Sequence, residues 1–428
     1  MRDLRADSRN PWAWIPTLYV AEGLPYVVVM SVSVVLYKGM GLSNTDIALA
    51  TSWLYLPWVI KPLWSPVVDI LGTRRRWIWV TQLVVGAALA GVALSIPAPD
   101  FFRWTLVFFW LLAFDSATHD IAADGFYMLA TTEQQQSLFV GVRSMFYRVA
   151  TIAGQGLLVM LAGAIQTRTG DLRLAWSVAM GAASVLFLAF GAWHRFVLPR
   201  PPVDRPGEAR KIPQFVREFL RTFGSFFRKP RIVALLLFLL LYRFGEAQLV
   251  KLVAPFLLDP RAEGGLALST TQVGFVYGTV GIGALTLGGV LGGWMISRHG
   301  LKAWLWPMLL AIHLPDAMFV YLAYAQPTSL PVIQLCVAIE QFGYGFGFAA
   351  YLMYMIYVAR GEHQTAHYAI CTGFMALGMM LPGMWSGWLQ DLVGYRHFFV
   401  WVILATVPSF VVAALIPLDA SFGKRSNA

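Results

Sequence analysis

The stretch Leu42-Ser43-Asn44-Thr45-Asp46 returns 226 residues later as Leu268-Ser269-Thr270-Thr271-Gln272. In each copy a serine is followed three positions on by an acid or amide, the pattern of a capped helix start, and a long apolar run comes next. Other residues repeat in the same register. Glu22 matches Glu246 at an offset of 224, Asp115 matches Glu340 at 225, and Gly72 matches Gly300 at 228. Four offsets within 224 to 228 mark a tandem duplication of about half the chain.

The duplicated material is made for lipid. Of 428 residues, 58% are hydrophobic and 13% charged, against roughly 25% charged in ordinary soluble domains. That excludes a soluble enzyme. A bilayer core of ~30 Å takes about 20 apolar residues in helix, and twelve segments are long enough. Six lie at 12–37, 44–67, 77–97, 103–130, 138–166 and 174–198; six more lie at 231–258, 270–296, 302–325, 329–359, 364–389 and 396–417. The predicted fold is an all-α polytopic membrane protein of two parallel six-helix bundles, residues 1–198 and 231–428, joined by a linker at 199–230. The first apolar stretch is longer than a signal-peptide core and is read as a retained span. Cys336 and Cys371 both fall inside apolar segments and read as packing residues.

An even number of spans puts both termini on one side. That side collects 21 of the 32 Lys and Arg residues, the opposite loops six, so the positive-inside rule makes both termini cytoplasmic. The net charge of +10 is thereby a loop property and does not point to nucleic acid. In the linker, Pro199, Pro201, Pro202 and Pro206 stop the sixth helix. Phe215, Phe219, Phe223 and Phe226 then follow at helical spacing among basic residues, predicting an amphipathic helix at the membrane surface.

An ionisable group near the bilayer centre costs at least about 2.5–3.5 kcal/mol and so needs a partner or a watery cavity. Glu22, Lys61, Asp115, His119, Asp120, Asp124, Arg143, Arg148, Arg243, Glu246, Lys251, His313, Asp316 and Glu340 all fall in predicted spans. On the fourth helix Asp115 and His119 share a face, while Asp120 and Asp124 share another about 140° round. Arg143 and Arg148 on the fifth can neutralise that second pair, or hold an anionic substrate, since guanidinium binds carboxylate and phosphate bidentately. Arg243 and Glu246, three apart, suit an intrahelical pair; Lys251 has no obvious local partner. Glu340 and Gln341 precede Gly343, Gly345 and Gly347, a spacing that allows close helix contact or bending around a cavity. Buried carboxyls hold protons more tightly than free ones, which makes Asp115, Glu340, Glu22, Glu246, Asp120 and Asp124 proton-coupling candidates. Lys61, His119, Arg143, Arg148, Arg243, Lys251 and Gln341 are substrate-binding candidates. The His and acidic residues show no recognised metal-ligand spacing, so no metal and no cofactor other than coupling protons is expected. The 17 Trp, 16 Tyr and 29 Phe include rings able to stack on sugar faces.

The loop after the second span reads Ser65-Pro66-Val67-Val68-Asp69-Ile70-Leu71-Gly72-Thr73-Arg74-Arg75. It resembles the signature G-x-x-x-D-R-x-G-R-R of the major facilitator superfamily, with Ser65 and Ile70 departing, and 293–302 carries a weaker copy. That resemblance implies binding between the halves near the midplane. Asp69, Gly72, Arg74 and Arg75 are then expected to form a gate latch. Three further stretches sharpen it: Ala117-Thr118-His119-Asp120-Ile121-Ala122-Ala123-Asp124-Gly125, Leu56-Pro57-Trp58-Val59-Ile60-Lys61-Pro62-Leu63-Trp64-Ser65-Pro66, and Thr365-Ala366-His367-Tyr368-Ala369-Ile370. They resemble the AmpG muropeptide permeases and the related acetyl-CoA transporters, with His119 and His367 where the pattern usually has Gln.

The resemblance implies a bacterial inner-membrane secondary transporter that imports anhydromuropeptides or related amino-sugar compounds by proton-coupled alternating access. Asp120, Asp124 and Lys61 match its motif positions. An acyl-CoA or other organic-anion or sugar cargo is the alternative within the same clan. A polytopic enzyme or sensor, with His119 and Asp120 as an acid-base pair, does not account for the duplication. The expected partners are a small sugar-peptide or organic anion and the lipid bilayer, and the chain is expected to act as a monomer.

Overall fold

The computed structural model describes residues 9–205, 212–361, 364–419 and 422–423. All twelve expected segments are helical, and no strand occurs among the described residues. Among the described residues, ten helices are individually long and apolar enough to cross a membrane, and two departures reconcile that number with twelve. The second span is interrupted at Leu54 and Tyr55, giving Asn44–Trp53 and Leu56–Leu71. The eleventh and twelfth run on as Ala366–Leu415, with the chain direction changed at Gly394, whose φ of 74° and ψ of 164° suit a residue without a Cβ.

Local chemistry sets the helix starts. Ser43 accepts from the Asp46 amide, and Ser269 and Gln272 form a reciprocal capping box, as the repeated stretches predict. Thr132 and Gln135 make another box before the fifth span. Wide π-turns interrupt the first, fifth and eighth spans at Val28–Val32, Ile152–Leu158 and Gly274–Gly281.

Two compact units result. One takes Met1–Leu36 and Ile60–Phe215, the other Tyr37–Val59 and Val216–Ala428. In the first unit, the third span packs on the fourth and sixth, and the first on Glu133–Thr151. A core of Trp14, Leu18, Tyr19, Ile78, Phe126 and their neighbours fills the space between them.

In the second unit the tenth span, Leu330–Ala359, lies against the eighth and ninth. The three glycines of that span do what their spacing suggests. A Cβ on Gly345 would overlap the Leu285 carbonyl of the eighth span, and one on Gly343 or Gly347 would strike Ala311 or Met308 and Ile312 of the ninth. The linker helix, Ile212–Phe227, is also held here. Phe226 is buried, edge-on to His367 and stacked on Phe374. The Phe215 and Phe219 side chains lie outside the described residues. The expected surface helix is thus anchored at its far end in protein.

The hairpin 37–59 is part of the second unit through Asn44–Trp53, which packs on the eleventh span. Gly387 there lets the Asn44 backbone come within overlap of where a Cβ would stand.

Candidate functional sites

In the first unit, Lys61 on the broken second span forms an ion pair with Asp120 of the fourth, and Arg143 of the fifth pairs with Asp124. The Arg143 guanidinium lies 4.3 Å from the ring centres of both Tyr19 and Tyr127, clamped between two π faces. The Tyr19 hydroxyl donates to Asp124 Oδ1 at 3.2 Å. Glu22 completes the group: one oxygen each from Glu22, Asp120 and Asp124 all lie within 4.8 Å of one another, and Glu22 Oε2 has no hydrogen-bond partner. The side chains of Lys61, Asp120, Arg143 and Asp124 keep 25%, 21%, 25% and 45% of their exposure.

Other expected residues of this unit lie apart from it. Asp115 is half-buried with Oδ2 unpartnered. His119 is buried and ends a polar chain: Thr17 Oγ1 to His194 Nε2 at 2.9 Å, His194 Nδ1 to Gln82 Oε1 at 2.7 Å, and Gln82 Nε2 to His119 Nε2 at 2.9 Å. The histidine in the motif therefore has a partner set inside the bundle. Arg148 is half-buried near the end of Glu133–Thr151.

At the 2–3 loop the Asp69 side chain lies outside the described residues. Asp204 of the linker caps the third span, accepting from the Arg74 and Arg75 amides at 2.8 and 3.0 Å. The Arg75 side chain donates to the last carbonyls of the sixth span, Arg195 and Leu198. The Arg74 guanidinium crosses Gly125, where a Cβ would collide with it. That contact explains the glycine ending the Asp120-to-Gly125 motif. Gly72 is buried beside the Trp77 indole.

In the second unit, Arg243 and Glu246 do not form the pair their spacing suggests. The seventh span breaks between Ile232–Leu241 and Phe244–Leu258, so Arg243 leaves the helical register. Its guanidinium donates to the Tyr344 hydroxyl and lies 5.0 and 4.8 Å from the Tyr344 and Phe348 ring centres. Both Glu246 oxygens are unpartnered. Lys251 donates to Thr51 Oγ1 at 3.0 Å, 5.0 Å from the Tyr55 ring centre. Glu340 accepts from Gln341 at 3.0 Å. Oxygens of Glu246, Asp316 and Glu340, from three spans, lie mutually within 4.8 Å.

A polar knot also ties the 37–59 hairpin down. Lys38 pairs with Asp259 at 2.7 Å and donates to Asn44 Oδ1 at 2.9 Å. Asn44 donates to Gln390 and, at 2.9 Å, to the Tyr395 hydroxyl, which donates to Asp259 Oδ2 at 2.6 Å. Thr45 binds Asp391 Oδ2 through its amide and its hydroxyl, the latter at 2.6 Å. Sequence reasoning selected neither this knot nor Tyr19 and Tyr127. The tyrosines had a signal, since each stands three residues from a selected acid, Glu22 or Asp124.

Duplicated helical halves with polar residues inside the spans define a multi-pass membrane transporter. The sequence model of the Major Facilitator Superfamily matches residues 17–254, and the chain belongs to that superfamily. It is 24% identical over 399 residues to the anhydromuropeptide permease of Escherichia coli strain K12, covering 92% of this chain and 77% of that one. A Rickettsia conorii protein that carries the AmpG name is 24% identical over 408 residues, covering 92% and 94%. Within the superfamily the chain is therefore AmpG-like. The solved D-xylose-proton symporter superposes with a TM-score of 0.70 at 13% identity, covering 96% of this chain and 98% of that one, which shows the shared fold.

Proposed function

We propose that this transporter carries anhydromuropeptides, or related amino-sugar compounds, across the bacterial inner membrane into the cytoplasm, one proton accompanying each anionic cargo group. The observation that carries the reading is the charge balance of the first unit's cluster. Lys61 and Arg143 offer two fixed cations to the three carboxyls of Glu22, Asp120 and Asp124. With Glu22 ionised, the group already holds one negative charge in excess, and an arriving carboxylate would add another. With Glu22 protonated, the excess is gone. Binding of an anionic group and of a proton thereby favour each other, the requirement for symport. Tyr19 and Tyr127 beside Arg143 give flat apolar faces next to a bidentate anion donor, which suits a sugar carrying a carboxylate-bearing peptide. The likeness to the Escherichia coli protein named an anhydromuropeptide permease supports the same cargo class.

The test is uptake of labelled anhydromuropeptide into proteoliposomes. Accumulation should rise with an inward proton gradient and be competed by unlabelled muropeptide. Competition by acyl-CoA alone, or uptake indifferent to the gradient, would reject the reading.

A further inference from the structure

The two units treat their acid triads differently. In the first, Lys61 and Arg143 enter the cluster. In the second, Glu246, Asp316 and Glu340 are 0%, 1% and 1% exposed, and neither fixed cation of the seventh span is paired with them. Arg243 is spent on Tyr344 and its neighbouring ring, Lys251 on Thr51. Both oxygens of Glu246 and both of Asp316 lack hydrogen-bond partners. A second feature points into the same place. His313 is buried, its Nε2 held by Ser409 Oγ at 2.8 Å, and its Nδ1 is unpartnered and 4.0 Å from Asp316 Oδ2.

We propose that Glu246, Asp316, Glu340 and His313 form a site for a divalent transition-metal cation, of the kind represented by Mn2+ or Zn2+. Charge favours a multivalent ion: three carboxylates with no cation paired to them carry up to three negative charges, of which one divalent ion cancels two. Donor type selects the class, because sodium and magnesium favour oxygen alone, whereas a mixed carboxylate and imidazole set suits Mn2+ or Zn2+. Geometry agrees. Ligand atoms that share an ion at about 2.0–2.2 Å stand no more than about 4.4 Å apart, so oxygens already within 4.8 Å need only a small adjustment. The Ser409 hydroxyl fixes the imidazole with Nδ1 toward Asp316, as partners of metal-binding histidines do. The sequence hides the site because its ligands come from the seventh, ninth and tenth spans and only His313 and Asp316 are close in the chain. The ion would clamp these three spans. This inference is independent of the cargo and of proton coupling through Glu22.

Tag-free protein in detergent, stripped with EDTA and re-equilibrated with Mn2+ or Zn2+, should retain about one metal per chain after gel filtration, measured by inductively coupled plasma mass spectrometry. Glu246→Gln and Asp316→Asn should weaken retention about 10-fold or more, while Glu22→Gln should retain metal as the parent does. Stripping should also lower the melting temperature of the unmutated protein, and Mn2+ or Zn2+ should restore it, a readout that needs no variant. Folded protein that keeps no divalent metal and melts the same with or without it would overturn the site. So would retention that the Glu246 and Asp316 substitutions leave unchanged, or stabilisation by sodium in place of divalent ions.

Discussion

Arg143 shows what a single side chain contributes when both its charge and its shape are used. A lysine there would keep the charge but lose the flat fork that lies between Tyr19 and Tyr127 while pairing with Asp124. Arg143→Lys is therefore expected to cut muropeptide uptake about 10-fold, at a cost of roughly 1–2 kcal/mol in substrate interaction, with the loss appearing in KM. Initial-rate measurements in proteoliposomes decide it, and an unchanged KM would count against a binding role. Gly125 offers a purely steric counterpart. Since a Cβ there runs into the Arg74 guanidinium, Gly125→Ala should destabilise the protein by about 1–3 kcal/mol, read as a lower melting temperature in detergent. Adding Arg74→Ala should recover part of the loss, because neighbouring substitutions that share one clash are not additive. If the double variant melts lower than Gly125→Ala by the full Arg74→Ala effect, the contact is not the cause.

Helix ends and helix contacts were the most legible features of the chain. Serines before acid or amide residues gave the starts at Asn44 and Thr270, and the glycines at 343, 345 and 347 gave the close face of the tenth span. These rest on neighbours within one turn, which a linear chain displays. Partner choice was less legible. Arg143 and Asp124 could be matched because their spans are consecutive and joined by a two-residue connection, whereas Lys61 and Asp120 lie on spans separated by a third. The Arg243 and Glu246 spacing misled because the seventh helix breaks at Arg243, which no proline announces. The knot of Lys38, Asn44, Asp259, Gln390 and Tyr395 is drawn from three loops of ordinary composition. Its role is testable at the scale of these elements. Thr45→Cys with Asp391→Cys, in a background without Cys336 and Cys371, replaces a hydrogen-bonded pair by a cross-link. If the hairpin must leave the eleventh span during turnover, oxidation should abolish uptake and reduction should restore it. Full uptake by the cross-linked protein would show that this contact stays closed throughout the cycle.

Across the whole molecule each unit holds an acid triad, of which only Glu22 and Glu246 correspond in the repeat, and the two solve the same electrostatic problem in opposite ways, one paired with cations of its own chain and one not. Duplicated helices could be read from the repeat, but this asymmetry could not, because it depends on where Lys61, Arg143, Arg243 and Lys251 spend their charges. Under the proposed symport, coupling belongs to the first unit, with Glu22 as the residue whose protonation decides the net charge there. Substrate affinity should then fall as pH rises, since an anionic cargo takes up a proton on binding and the group that receives it becomes ionised. Glu22→Gln removes that dependence by fixing the neutral form. The variant should still bind, and should still exchange labelled for unlabelled substrate across the membrane, because exchange needs the conformational cycle of the loaded carrier but no net proton movement. It should fail to accumulate substrate against a gradient when a proton gradient is imposed, because the cycle no longer consumes a proton. Counterflow and gradient-driven uptake, measured on the same proteoliposomes, separate the two. Loss of both would make Glu22 a binding or folding residue, and retention of both would move the coupling proton elsewhere, to Asp115 in the first instance, whose half-buried carboxyl stands apart from either triad with Oδ2 unpartnered.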